Sequence, residues 1–195
     1  MSNFTDFFAA AAGGGSMPKY QDFTSSGNFT PSQALIDAGG RIGYFAVGGG
    51  ERGWNDNAVF GGAGGKVVWG YVTLTSTSAC AVVIGAGGSG SANANGGNTT
   101  IAFNSAGGTA ITANGGSGLI TPNHGGFGGV SRDSGITFAS NASIGHFGGY
   151  GAGGAAGSGA YDNAGGILSG EANTGNGSYK NNNAGSGFVR IIWFE

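Results

Sequence analysis

The residues of this chain best suited to chemistry are aromatic rings set beside short polar side chains. Trp54 stands with Asn55, Asp56 and Asn57. His124 precedes Phe127, His146 and Phe147 precede Tyr150, and Tyr161 precedes Asp162 and Asn163. Tyr179 is followed by Lys180 and a run of asparagines. A ring offers a flat face to the C–H side of a sugar, while amide, carboxylate and imidazole groups reach its hydroxyls. Aromatic residues and arginine also anchor protein interfaces. This is binding chemistry. It makes Trp54, Asn55, His124, Phe127, His146, Phe147, Tyr150 and Tyr161 the candidate binding contacts. The competing reading is that each ring covers a layer of glycine as a small core of its own.

Catalytic and cofactor motifs fare worse. Ala81–Ile84 followed by Gly85-Ala-Gly87-Gly-Ser-Gly90 is formally a dinucleotide fingerprint. That chemistry needs a helix after the turn to hold the pyrophosphate, and Ser91-Ala-Asn-Ala-Asn-Gly-Gly cannot sustain one. Gly61-Gly-Ala-Gly-Gly-Lys66 has Val67 where a phosphate loop needs Ser or Thr, and Phe60 where it needs glycine. The acids are dispersed, and Glu51 and Asp56 read as solvated loop carboxylates. Cys80 is the only cysteine, so no disulfide framework or cysteine-built zinc site is expected. It lies in an apolar run and reads as a buried core residue. The expectation is a protein that is not an enzyme and carries no cofactor or metal.

Composition narrows the class further. Charged residues are 8% and the net charge is −2, so charge repulsion cannot keep the chain disordered. Aromatics are 11%, more than a flexible glycine linker would carry. The seven Lys and Arg form no basic stripe, which argues against nucleic acid. No run approaches the ~18 apolar residues of a membrane span. No basic stretch precedes the apolar N-terminal residues, so a secretory signal is not expected. Four matches to the N-glycosylation sequon, beginning at Asn28, Asn98, Asn141 and Asn176, carry little weight in a chain this rich in Asn, Ser and Thr.

The elements that must position the rings are β-strands and glycine. Strands are expected over Arg41–Val47, Lys66–Leu74, Cys80–Ile84, Thr99–Phe103, Gly135–Phe138 and Phe188–Phe194, where β-branched and aromatic residues are dense. Phe23–Pro31 reads as a short strand pair ahead of a proline. Beyond the first residues no helical period is evident. Glycine makes up 47 of the 195 residues, concentrated in blocks at 48–53, 61–65, 85–97, 107–118, 125–129, 145–159 and 165–177. That much structureless loop is improbable in one domain, so the blocks should be ordered by backbone packing. Gly145, Gly148, Gly151, Gly154 and Gly157 recur every third residue, the period of a polyproline-II helix. The fold expected is all-β: a glycine-rich β-sandwich with ordered glycine-rich loops and some polyglycine-II packing. Residues 17–195 form this domain. Residues 1–16 stand apart, as a frayed tail or as an anchor that orders on a neighbouring protein, with Phe4, Phe7 and Phe8 on a short helix capped by Thr5 or Asp6 and a Gly13–Gly15 hinge.

In this combination the chain resembles the glycine-rich domain of bacteriophage tail-fibre and receptor-binding proteins. The matching stretches are Phe23–Pro31, Phe45–Gly50, Gly61–Gly65, Val82–Gly88, Gly97–Phe103, the blocks between Gly145 and Gly166, and Gly185–Trp193. More loosely it is similar to the distal tail-fibre adhesins of T-even phages, which interleave glycine-rich motifs with variable segments that contact the receptor. The resemblance implies a virion protein of the tail that attaches the particle to a bacterial surface receptor, a glycan or an outer-membrane protein. It implies other tail proteins as partners, with Phe4, Phe7 and Phe8 docking on the virion, and a homotrimer. Two other classes compete: a structural virion cap without receptor binding, and a glycine-rich ice-binding protein. The second needs a flat threonine-rich face, and the threonines here are irregular.

Overall fold

Ten strands account for most of the regular structure of the computed structural model, which describes residues 17–55, 59–60, 62–90, 94–117, 172–178 and 183–195. They are β1 (Pro18–Phe23), β2 (Gly27–Phe29), β3 (Arg41–Val47), β4 (Trp54–Asn55), β5 (Val59–Phe60), β6 (Val67–Thr73), β7 (Cys80–Val83), β8 (Thr99–Ile101), β9 (Ile111–Ala113) and β10 (Phe188–Phe194). One sheet has the order β1-β10-β3-β6 and a second β2-β7-β8-β9; β4 and β5 form a small ribbon. All pairings are antiparallel. The fold among the described residues is all-β. The closing strand β10 inserts between β1 and β3, so the first sheet is complete only when the end of the chain arrives.

One apolar cluster joins the two sheets. Phe23, Ile42, Ala46, Val189 and Ile191 come from the first sheet. Phe29, Cys80, Val82, Ile101 and Ala113 come from the second, and all are buried. Phe29 meets Trp193 edge-to-face with ring centroids 5.3 Å apart. Tyr44 lies 5.9 Å from Phe103, centroid to centroid. Burial of the Cys80 thiol pushes its pKa up, as the apolar run around it leads one to expect.

Two sequence expectations need correction. Phe23–Pro31 is not a strand pair: β1 ends at Phe23 and pairs with β10, while β2 pairs with β7 in the other sheet. The bend at 24–26 carries the chain across, and Ser26 Oγ accepts a hydrogen bond from Ile84 N at 3.0 Å. A short helix also follows: α1, Gln33–Asp37. Ser32 caps it, its Oγ accepting from Leu35 N at 3.0 Å, and Leu35 is buried in the core. Five residues are too few to show a helical period. Gly40, with φ +65°, then brings the chain back so closely that a Cβ would lie 1.9 Å from Leu74 O.

The glycine blocks form a second structural unit beside the sheets. Among the described residues, seven segments lie together: 48–53, 62–66, 85–88, 94–97, 114–116, 175–178 and 184–187. Segment 48–53 is central. Gly48 N donates to Lys66 O and Glu51 N to Ala63 O. Gly49 N donates to Gly97 O, Arg52 N to Ala94 O, and Gly50 N to Gly185 O. The other three neighbours donate back: Gly116 N to Gly49 O, Gly88 N to Gly50 O, and Ser178 N to Glu51 O. Donors three residues apart therefore meet the same neighbour.

The six outer segments also bond to one another around the centre. The ring runs 62–66 to 175–178, to 184–187, to 85–88, to 94–97, to 114–116 and back to 62–66. Its links include Gly65 N to Gly175 O, Gly185 N to Asn176 O, Gly187 N to Gly85 O, Gly97 N to Ala86 O, Gly96 N to Gly116 O and Lys66 N to Asn114 O. Here glycine is required by proximity. A Cβ on Gly48, Gly49 or Gly50 would lie 2.1 Å from a carbonyl oxygen of a neighbouring segment, Asn114, Ala86 and Asn176 respectively. An unpaired buried amide costs ~1–3 kcal/mol, so the bundle is stable because its neighbours supply acceptors in every direction.

Candidate functional site

The two ends of the glycine bundle differ. At one end the segments run into the sheets: β3 leads into Gly48, Lys66 into β6, β7 toward Gly85, Gly97 toward β8, β9 toward Asn114, and Gly187 into β10. The far end carries Gly53, Gly62, Gly90, Ala94, Ser117, Ser178 and Asn183. The variable inserts leave from these far-end positions. Residues 54–61 join Gly53 to Gly62, residues 91–93 join Gly90 to Ala94, and residues 179–182 join Ser178 to Asn183. The long stretch 118–171 departs from Ser117. It rejoins the described chain through the turn 172–175, where Gly175 N donates to Ser186 O and Asn173 N to Ser186 Oγ.

Of the candidate contacts, Trp54 and Asn55 lie in β4, at the far end. Their backbones pair with β5, Trp54 opposite Phe60 and Asn55 opposite Val59, in the ribbon that continues the central segment outward. His124, Phe127, His146, Phe147, Tyr150 and Tyr161 lie outside the described residues, as do Phe4, Phe7 and Phe8 and the Gly145–Gly157 register. The expected strand Gly135–Phe138 lies outside them too.

The polar residues that hold the far end together were misread or missed in the sequence. Glu51 is not a solvated carboxylate. It is 1% exposed, and its Oε2 accepts a hydrogen bond from Ala63 N at 2.9 Å. Ser178 is fully buried, its Oγ accepting from Gly53 N at 3.1 Å. The Arg52 guanidinium donates to Gly90 O. Glu51 thus ties the central segment to the strand that returns from the first insert. Ser178 fixes the residue from which that insert departs, and Arg52 holds the start of the second. The available signal was position: Glu51 and Arg52 are the two charged residues inside the run Gly48–Gly53. A charge placed where every neighbour is glycine has to be satisfied by backbone.

A scan against protein-family models returned no match, and a search of curated proteins found none that matches this chain. Among the described residues, no group of three His, Cys, Asp or Glu could hold a metal ion. No helix among them is long and apolar enough to cross a membrane. Three inserts leave and return at the far end of the glycine bundle, and the fourth leaves there and rejoins at the sheet end.

Proposed function

We propose that this chain is a bacteriophage tail-fibre or tail-tip protein that attaches the particle to its host by binding a bacterial surface receptor, without catalysis. The observation that carries the reading is that inserts 54–61, 91–93 and 179–182 leave and return at the end of the glycine bundle farthest from the sheets, and that 118–171 leaves from there. Glycine packed against glycine offers almost no side-chain chemistry. Specificity therefore falls to the inserts, where aromatic rings sit beside Asn, Asp and His. Large aromatics give contact area at small entropy cost. Several copies on one particle would multiply weak single contacts through effective concentration.

The finer architecture belongs to the same proposal. The two sheets are read as a β-sandwich around their common core, and the seven segments as a polyglycine-II bundle built onto one end of it. The receptor contacts are Trp54, Asn55, His124, Phe127, His146, Phe147, Tyr150 and Tyr161. Residues 1–12 dock the chain to an adjoining tail protein through Phe4, Phe7 and Phe8, in a homotrimer located in the virion tail. Purified chain should compete with intact particles for host cells and slow their adsorption. A chain that fails to bind host cells at any concentration, alone or crosslinked into multimers, counts against receptor binding and favours the structural cap.

A further inference from the structure

The chain holds three Asn-Gly pairs, Asn95-Gly96, Asn114-Gly115 and Asn176-Gly177, and all three lie in segments of the glycine bundle. Their glycines have no substitute. A Cβ on Gly96 would lie 1.9 Å from Gly49 O, one on Gly115 1.9 Å from Gly96 O, and one on Gly177 2.0 Å from Gly62 O. Asn followed by Gly is the pair most prone to cyclise, because glycine leaves its amide nitrogen unhindered. That nitrogen attacks the Asn side-chain carbonyl carbon and gives up its proton, and ammonia departs. A water molecule then opens the cyclic imide. Where it adds to the former main-chain carbonyl, the backbone runs on through the side chain as isoaspartate, one carbon longer and with a carboxylate as its branch. The attack requires the peptide unit between the two residues to turn until its nitrogen faces the side chain. In the bundle each of these units is pinned. Asn114 O accepts from Lys66 N at 2.8 Å, and Gly115 N donates to Asn98 Oδ1 at 2.9 Å. Gly96 N donates to Gly116 O at 2.9 Å, and Asn176 O accepts from Gly185 N at 2.8 Å. Asn95 and Asn114 are exposed while Asn176 is buried, so backbone bonding rather than burial is what the three share.

We infer that Asn95, Asn114 and Asn176 are self-modification sites that the glycine bundle holds shut, and that their conversion to isoaspartate once the segments open makes the opening irreversible. Each asparagine stands between two bonds that tie its segment in place. On either side of Asn95, Ala94 O and Gly97 O accept from Arg52 N and Gly49 N of the central segment. Around Asn114, Ala113 pairs with Thr99 in the second sheet and Gly116 N donates to Gly49 O. Around Asn176, Gly175 O accepts from Gly65 N and Ser178 N donates to Glu51 O. An extra backbone carbon inside any of these intervals moves one of its two bonds out of register, and packing this close has no slack to absorb it. A chain modified faster than it refolds is lost to the native state. The inference goes beyond the receptor reading and does not depend on it.

The test holds the full-length chain in mildly alkaline buffer, folded or in concentrated urea. Conversion at each asparagine is read by peptide mass spectrometry, and isoaspartate is counted by enzymatic carboxyl methylation. All three sites should convert at least ~10-fold more slowly in the folded chain, since reaction waits for the segment to open. Gly50→Ala, whose Cβ would press on Asn176 O, should speed conversion at Asn176 in the folded chain and leave the rate in urea unchanged. Chain diluted out of urea should refold in a yield that falls as isoaspartate accumulates, and the folded fraction should carry none at these sites. Asn95→Ser, Asn114→Ser and Asn176→Ser together should keep their starting yield through the same hold. Equal rates in the folded and unfolded chain overturn the inference. So does a Gly50→Ala rate no faster than the parent's, or chain bearing isoaspartate at these sites that refolds as well as unmodified chain.

Discussion

Replacing Gly50 by alanine tests the glycine bundle at its centre. The added Cβ would lie 2.1 Å from Asn176 O, 2.4 Å from Asn176 C and 2.7 Å from Gly177 N. All three are backbone atoms, so no side chain can swing away. Relief requires segment 175–178 to move, and that segment is bonded to both its ring neighbours and to Glu51 O. Overpacking of this kind costs ~1–3 kcal/mol. The same substitution restricts the unfolded chain and returns about 0.4–1 kcal/mol where the site accepts alanine. Gly27→Ala is the matched control, because its Cβ would meet only the Phe23 ring, at 3.7 Å, an ordinary contact. In a domain of this size 1 kcal/mol moves Tm by about 2–4 °C. Gly50→Ala should therefore melt several degrees below the parent in a calorimetric or circular-dichroism scan, while Gly27→Ala melts at or slightly above it. Equal melting of the two variants would mean that the segments do not pack backbone against backbone.

Further outcomes follow from particular contacts. Glu51→Ala should destabilise by ~1–3 kcal/mol in urea unfolding, because it strips the acceptor from the buried Ala63 amide, and Glu51→Gln, which keeps an acceptor, should lose less. Hydrogen bonds from Lys19 and Ser32 hold the Glu195 carboxyl below its ordinary value. Its contribution is therefore present above the ordinary glutamate range and lost as pH falls through the lowered value. Tm measured against pH should decline less on the acid side for Glu195→Gln than for the parent. Cys80, buried and with its thiol pKa raised, should resist thiol-reactive reagents in the native protein and react at the rate of unfolding. Deleting residues 1–12 should leave a folded domain that no longer joins the particle, and normal incorporation of that truncated chain would end the anchor proposal.

The strands were legible wherever β-branched and aromatic residues run together. Arg41–Val47 and Phe188–Phe194 match β3 and β10 end to end, and Val67–Thr73 falls within the expected Lys66–Leu74. Ladder edges were harder. Pro18–Phe23 holds Lys, Gln and Asp because five of its six residues are exposed, so its composition hides a strand that β10 completes from the far end of the chain. Thr99–Ile101 stops short of Phe103, where the chain tightens into a 3-10 turn ending at left-handed Gly107.

Among the described residues the glycine blocks were legible as packed backbone but not as a bundle, since the partners of one segment lie far away in sequence, and the blocks 125–129 and 145–159 lie outside those residues. The three-residue period appears in the hydrogen bonds more clearly than in the residue string. Central Gly48, Gly49 and Gly50 each face a different neighbour, so glycine is needed at consecutive positions. Outer segments need it at consecutive positions too, since a Cβ on Gly87 would lie 2.0 Å from Ala184 O and one on Gly88 1.9 Å from Ala94 O. A Cβ on Gly62 would strike Glu51 O at 1.9 Å, and one on Gly65 would strike Gly48 O at 2.0 Å. Of the candidate site, the sequence showed the aromatic inserts but not the buried Glu51 and Ser178, whose roles depend on backbone amides brought in from elsewhere.

The most direct test of the account is adsorption by particles carrying Trp54→Ala, His146→Ala and Tyr150→Ala together. Their content of this chain and their assembly should equal the parent's, because none of the three residues belongs to the described core cluster or to the seven glycine segments. Their adsorption to host cells should fall to the level of particles lacking the chain. Adsorption at the parental rate would contradict receptor binding through the inserts and leave the structural cap as the function.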